Sequence, residues 1–315
     1  MCTAASFKGF FGRNLDFDFS YGQEIVITPR NYSFSFKHEE NIDKHPAIIG
    51  VGIIQEGYPL YFDAINEHGL GMAGLNFVGN CVYRDVDDTK INIAQFELIP
   101  YVLSKCKTLE EAKELFKNIN LSKDSINDKY PPTQMHWYVS DGYKSIVVES
   151  VKDGVKVYDD PVNVLTNNPP FELQMFNLNN YQHLSSVDPV NNFEGVELAK
   201  YSRGMGGLGL PGDLSSMSRF VKVAFTNHFS LSDNGLNQLF HILHSVEQQN
   251  GCCKVKEAYE YTIYTSACDL AKGIYYYTTY NNHQISGVDM HKENLDSSDL
   301  ITYPMLEEEH INMQN

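Results

Sequence analysis

The order of strand-like and helix-like segments restricts this chain to few folds. Strand patterns fill its opening third, helical spacing follows, and a strand pattern returns over 135–157. A second helical region spans 220–246, and strands close the chain. Parallel sheets need strands that alternate with helices, and that alternation is missing here. The order predicts an α+β fold in which antiparallel sheets are covered by helices, with residues 1–315 forming one domain.

Local signals place the helices and turns. Apolar residues recur at helical spacing over 96–103, with a bend expected at Pro100, and Thr108 begins a capping-box sequence. The weak periodicity of residues 161–211 predicts long loops, and Ser232 is the expected cap of the helix over 236–246.

Charge and cysteine content exclude several classes of protein. The formal net charge is −16 and no block of basic residues occurs, which argues against a nucleic-acid partner. No apolar run approaches the 18 or so residues of a membrane span, so we expect no membrane partner. The six cysteines form no CxxC pair, and His241, His244 and Glu247 fit a solvated helix face better than a metal site. We therefore expect no metal, no cofactor and a reducing cytoplasmic location.

Cys2 is the residue with the most distinctive chemistry. It directly follows Met1, and a methionine before a small side chain is readily removed. Removal would leave one residue with both a thiol and a free α-amine, and an α-amine has a pKa near 7.7 to 8.0 in peptides. Nucleophile and base would then belong to the same residue. The alternative is an unremarkable cysteine on a frayed terminus.

Charged residues near Cys2 and far along the chain are candidate partners. Arg13 and Asp16 lie three residues apart, where the carboxylate could hold the amine and the guanidinium could favour the thiolate. Arg219 lies where a Gly/Pro-rich loop enters a helix and could steady a carboxylate. Ordinary surface ion pairs are the competing interpretation.

Two asparagines are candidate hydrogen-bond donors. Asn76 follows a Gly/Ala-rich strand, where its amide could face a developing oxyanion. Asn167 belongs to an Asn-Asn-Pro-Pro stretch. Turn formation explains both equally well from the sequence alone.

Taken together, six ordered segments resemble the choloylglycine hydrolase family, which includes bile salt hydrolases and penicillin V acylases. The segments are MCT at the start, FGRNLDF at 11–17, NEHGLGMAGLNF at 66–77, VLTNNPPF at 164–171, GLPGDLSSMSRF at 209–220 and YTSACDLAKGIYYYTTY at 264–280. The resemblance implies a four-layer αββα sandwich of the N-terminal nucleophile hydrolase type, assembled as a homotetramer. It also implies amide hydrolysis by an N-terminal cysteine, exposed here by loss of Met1 alone.

The resemblance assigns a role to each candidate. Cys2 is nucleophile and base, Arg13 and Asp16 orient and tune it, Asn76 and Asn167 shape the oxyanion and amine surroundings, and Arg219 supports the set. Asn76 resembles the bile salt hydrolases, since many penicillin V acylases have tyrosine there. Conjugated bile salts are therefore the expected small-molecule substrate.

A steroid body needs an apolar pocket. The candidate lining residues are Leu15, Phe17, Ile126, Tyr130 and Met135. Residues 202–204 (Ser-Arg-Gly) favour taurine over glycine conjugates by resemblance to related enzymes. A penicillin V acylase and a non-catalytic bile-acid-binding protein are the alternatives.

Overall fold

The chain folds into strands and helices throughout its length, and the computed structural model describes residues 1–315. The strands are β1 (Cys2–Phe7), β2 (Phe10–Phe17), β3 (Glu24–Thr28), β4 (Ile48–Gln55), β5 (Tyr58–Asn66), β6 (Gly71–Asn76), β7 (Ile91–Ala94), β8 (Ile119–Ser122), β9 (Met135–Ser140), β10 (Ser145–Val151), β11 (Gly154–Asp160), β12 (Val164–Leu165), β13 (Cys253–Val255), β14 (Ala258–Asp269), β15 (Ile274–Thr279), β16 (Asn282–Asp289) and β17 (Ile301–Pro304). The helices are α1 (Leu98–Lys105), α2 (Leu109–Phe116), α3 (Phe171–Leu178), α4 (Ser216–Phe229) and α5 (Gly235–His244).

Two large antiparallel sheets form the centre of the molecule. The first has seven strands in the order β12-β1-β2-β14-β15-β16, with β13 paired to β14. The second has eight strands in the order β11-β10-β9-β6-β5-β4-β3-β17. The short strands β7 and β8 pair in parallel outside both sheets.

The sheets stack face to face, and helices cover their outer faces. Phe11 of the first sheet stacks on Tyr138 of the second, with ring centroids 6.0 Å apart. Helices α4 and α5 pack on the first sheet, and α1 and α2 pack on the second. The predicted αββα sandwich of two antiparallel sheets is thereby confirmed.

The β1–β2 hairpin brings the N-terminus into the middle of the sandwich. A tight turn at Lys8 and Gly9, both with positive φ, pairs Cys2 with Leu15. Gly12 allows β14 to approach, because a Cβ there would lie 2.1 Å from the Ser266 carbonyl oxygen. Every residue of β1 is buried, so this terminus is an ordered strand of the core rather than a frayed end.

Two local predictions need correction. Residues 161–211 contain a helix, α3, besides loops; only Phe171 and Gln174 of that helix are buried, so it leaves almost no periodic signal. Asn234, not Ser232, caps α5 through its side chain. Pro100 lies in the first turn of α1, where a missing N–H is tolerated, and α1 directly follows a 3-10 turn at Gln95–Glu97.

Candidate active site

Cys2 lines a cavity of about 290 Å³ whose walls come from strands of both sheets, from residues 95–99 and from the loop at 126–133. The cavity is mainly apolar, and Arg13 and Asn76 contribute polar groups beside Cys2. All five residues predicted to bind a substrate line it: Leu15, Phe17, Ile126, Tyr130 and Met135. Sequence reasoning missed other lining side chains, among them Tyr21, Phe62, Phe96 and Trp137, because the segments that carry them show no motif of their own.

Strand geometry separates Arg13 from Asp16. Side chains alternate along β2, so Arg13 shares the cavity face with Leu15 and Asp16 points to the helix-covered face. Both residues are fully buried. A surface ion pair between them is thus excluded, and each acts on a different side of Cys2.

Arg13 is held by backbone carbonyls and keeps a free donor. Its Nη1 donates to the carbonyl oxygens of Phe62 at 3.0 Å and Gly74 at 2.8 Å. Its buried Nη2 has no hydrogen-bond partner in the protein. Burial acts to lower the pKa of Arg13, but the neighbouring acidic groups, first Cys2 and then Tyr264 and Asp63, raise it above its ordinary value. The guanidinium is therefore a permanent cation beside the thiol.

Asp63, which sequence reasoning missed, places a buried carboxyl group near Arg13. Its carboxylate accepts hydrogen bonds from the hydroxyls of Tyr264, Tyr275 and Ser266. Burial raises the pKa of Asp63, while Arg13 and these hydroxyls lower it. No pattern in the sequence of β5 could have singled out this carboxylate, because its partners come from β14 and β15.

Arg219 ties α4 to the N-terminal strand from the opposite face. Its Nη1 donates to the Cys2 carbonyl oxygen at 2.7 Å and to the Thr3 hydroxyl, and its Nη2 donates to Asn167 Oδ1 at 2.9 Å. Nη1 also lies 3.9 Å from Asp16 Oδ2. Burial lowers the pKa of Arg219, and Asp16 and Cys2 oppose that effect.

Asp16 keeps one carboxylate oxygen free beside the N-terminus. Oδ1 accepts from the Thr262 hydroxyl at 2.6 Å, whereas the buried Oδ2 has no hydrogen-bond partner. Burial raises the pKa of Asp16, and the positive charges of Arg219 and the chain terminus lower it. An unpaired buried acceptor of this kind is costly and marks a place where a donor is expected.

Asn167 links the Cys2 nitrogen to Asn76. The Cys2 N–H donates to Asn167 Oδ1 at 2.6 Å, and Asn167 Nδ2 donates to the Asn76 carbonyl oxygen at 2.9 Å. The Asn76 side chain lines the cavity next to Cys2. The structure thus gathers the other five predicted catalytic residues around Cys2.

Met1 occupies an ammonium site formed by Glu260. The Met1 amine lies 2.5 Å from Glu260 Oε1 and 2.6 Å from the Asp16 carbonyl oxygen. The Met1 carbonyl oxygen accepts from the Asp16 N–H at 2.9 Å. Glu260 was absent from the predicted set, since its position at the start of β14 carries no signal without the register to β2.

Other sequence features lie away from this cavity. Residues 202–204, considered for conjugate preference, are exposed and do not line it. The structure contains no group of three or more His, Cys, Asp or Glu side chains arranged to hold a metal ion. None of its helices is long and apolar enough to cross a membrane.

The sequence is similar along its length to bile salt hydrolases of known bacteria. The chain is 52% identical over 317 residues to the bile salt hydrolase/transferase of Lactiplantibacillus plantarum, with 98% of each chain covered. It is 38% identical to the bile salt hydrolase/transferase of Clostridium perfringens, with 96% of each covered.

Solved structures agree with this similarity. A variant of conjugated bile acid hydrolase from Clostridium perfringens superposes with a TM-score of 0.94 at 37% identity, covering all of both chains. Penicillin V acylase from Agrobacterium tumefaciens shares the fold, with a TM-score of 0.76, 17% identity and coverage of 96% of this chain and 91% of that one. Residues 1–303 match the family described as linear amide C–N hydrolases, choloylglycine hydrolase family. This chain therefore belongs to the choloylglycine hydrolase family.

Proposed function

We propose that this protein hydrolyses the amide bond that joins a bile acid to glycine or taurine, with Cys2 as nucleophile after loss of Met1. One observation carries the proposal: Cys2 lies in an apolar cavity between two buried guanidinium groups, Arg13 and Arg219. A steroid suits the apolar walls, and the full-length similarity to bile salt hydrolases supports the same substrate class.

The reaction begins with proton transfer within Cys2. The free α-amine accepts the thiol proton, and the thiolate attacks the amide carbon to form a C–S bond. Arg13 Nη2, which has no partner in the protein, favours the negative sulfur. Asn167 Oδ1 accepts a hydrogen bond from the Cys2 nitrogen and so holds it in place. The unpaired Asp16 Oδ2 is a second acceptor for the ammonium.

The carbonyl oxygen becomes negative in the tetrahedral intermediate, and the Asn76 side-chain amide is the proposed donor to it. Losing one such donor costs about 2.7–4 kcal/mol in barrier height. The C–N bond then breaks as the α-ammonium gives its proton to the departing glycine or taurine nitrogen. Water, deprotonated by the amine, cleaves the cholyl thioester and regenerates the thiol.

The test compares Cys2→Ala with Cys252→Ala, since Cys252 is an exposed free cysteine. Glycine or taurine released from glycocholate and taurocholate is measured with ninhydrin, and intact mass reports whether Met1 is present. We expect no turnover for Cys2→Ala and full turnover for Cys252→Ala. Turnover by folded Cys2→Ala would contradict the proposal.

We also propose a homotetramer. Residues 187–208 expose seven large apolar side chains, and extensive exposed apolar surface marks an interaction surface in soluble proteins. They are Val187, Val190, Phe193, Val196, Leu198, Tyr201 and Leu208. Sedimentation of wild type should give four copies, and Phe193→Asp should give smaller species; a monomeric wild type would contradict the assembly.

A cytoplasmic location completes the proposal. All six cysteines are free in the structure, and the thiol of Cys2 has to stay reduced to react. Cell fractionation should recover the activity with cytoplasmic markers, and recovery in the culture medium would contradict this assignment.

A further inference from the structure

We propose that Glu260 is a positioning residue that controls the protonation of the Cys2 amine and thiol, an inference that rests on the proposed function. Glu260 is only 8% exposed, and its Oε1 lies 2.5 Å from the Met1 nitrogen. Its Oε2 lies 3.8 Å from Cys253 Sγ. The carboxylate therefore belongs to the wall around the chain terminus and not to the solvent-facing surface.

Loss of Met1 moves the terminal ammonium by one residue and leaves Glu260 in place. Consecutive backbone nitrogens are at most about 3.6 Å apart. Because Glu260 Oε1 lies 2.5 Å from the Met1 nitrogen, it lies within about 6 Å of the Cys2 nitrogen. At that distance, in a buried setting, an opposite charge substantially favours the protonated amine.

The charges around the Cys2 amine give the sign of the effect. Asp16 of β2 and Glu260 of β14 are the carboxylates on this side, and Arg219 of α4 is the cation. Arg13 lies on the cavity side, the Cys253 thiol faces Glu260, and Glu247 lies beyond Asp16. Arg219 lies 3.9 Å from Asp16 Oδ2 and is also attracted by Glu260, so one guanidinium and the Cys2 ammonium face two carboxyl groups. Without Glu260 the ammonium and Arg219 have only Asp16 to share, and the protonated amine is less favoured.

The amine and the thiol share one proton in the reactive enzyme, so their titrations are coupled. A nearby negative charge favours the protonated form of either group. Removing the negative charge of Glu260 therefore lets the Cys2 amine and thiol together lose their first proton at a lower pH. The acid limb of the kcat/KM profile, which reports that proton in the free enzyme, should move accordingly.

The experiment measures kcat/KM for taurocholate between pH 4 and 9 for wild type, Glu260→Gln and the control Glu257→Gln, whose side chain is exposed just before β14. Intact mass first verifies that Met1 is absent from each. We expect Glu260→Gln to move the acid limb down by about one pH unit and Glu257→Gln to leave it unchanged. An unmoved limb in folded, processed Glu260→Gln would overturn the inference.

A second variant covers the case in which Glu260→Gln does not fold. Cys253 is half-buried at the sheet edge, so Cys253→Lys can place a cation against Glu260 without emptying the core. It should also move the acid limb to lower pH, and a limb that stays or rises would contradict the role of Glu260. If wild type releases no taurine at any pH, the proposed function itself fails. If wild type is active and no variant moves the limb, only the role of Glu260 fails.

Discussion

Two cavities lie near opposite ends of β1, and the smaller one holds the candidate chemistry. The cavity at Cys2 has a volume of about 290 Å³, and the cavity beside Ser6, Phe7 and Lys8 has about 580 Å³. Helix α4 contributes to both regions, because Arg219 in its N-terminal turn contacts Cys2 and its C-terminal half lines the second cavity. Cavity volume alone would therefore favour the second cavity over the one that contains Cys2.

Fixed buried charge distinguishes the two. Arg13, Asp16 and Arg219 are fully buried around Cys2, whereas Lys8, the only Lys or Arg lining the second cavity, is exposed. Burying charge is expensive, and a fold retains it where the charge performs a task.

Removing the cation from each end should produce the largest difference in stability. Arg219→Met leaves Asp16 buried without its cation and should lower the free energy of unfolding by about 3–5 kcal/mol. Lys8→Met removes an exposed side chain and should change it by less than about 0.5 kcal/mol. Urea titration of both variants provides the measurement. Equal effects would mean that buried charge does not distinguish the cavities.

Matched asparagine substitutions should separate activity from packing. Asn167→Ala removes the acceptor of the Cys2 nitrogen and the donor to Asn76, and should reduce kcat/KM about 100-fold. Asn227→Ala breaks hydrogen bonds to the Ser6 and Val162 carbonyl oxygens at the second cavity and should leave kcat/KM within twofold. Steady-state assays with taurocholate measure kcat/KM for both variants and for wild type. A large loss in folded Asn227→Ala would place the second cavity in the reaction.

Filling each cavity should show which one binds the steroid. Ile126→Trp occupies the first cavity and should raise KM for taurocholate about tenfold, while Val162→Trp in the second should not. Penicillin V, whose acyl group is smaller, should be less affected by Ile126→Trp if it reacts at all. A raised KM in Val162→Trp alone would reverse the assignment of the cavities.

The smallest effect, a change in stability, is expected just before the N-terminus of α4, the helix that contributes residues near both cavities. Asp213 accepts from the Ser215 N–H at 2.9 Å and the Ser218 hydroxyl at 2.6 Å. The Ser215 hydroxyl, followed by the Ser218 hydroxyl and the Ser215 N–H, lowers the pKa of Asp213 to about 2. Its stabilising contribution is present above the unfolded value of about 3.9 and is lost as the pH falls toward 2. Asp213→Asn should therefore be slightly less stable than wild type at pH 6.

That difference should shrink as the pH falls below 4. Urea midpoints of the two proteins across pH 6 to 3 measure it. A gap that widens on acidification would show that the carboxylate does not stabilise this helix start.

Sequence patterns predicted the layers and the six candidate catalytic residues because these features have local or motif-level signals. The pairing of β1 with β2 was not predicted, and three lining residues expected on loops, Leu15, Phe17 and Met135, lie in strands β2 and β9. Glu260 and Asp63 were missed, since their importance depends on which strands become neighbours. Helix α3 was missed because only two of its side chains are buried. Contacts between distant segments, and short helices with little buried surface, leave no periodic trace in a single sequence.

The central claim is that Cys2, once it is the first residue, carries the acyl group during turnover. Acid quenching during the first turnover with taurocholate, followed by intact-mass and fragment analysis, measures this directly. The account predicts a chain without Met1 whose mass is increased by one cholyl group located on Cys2. A cholyl group on another residue, or an active chain that retains Met1, would contradict it.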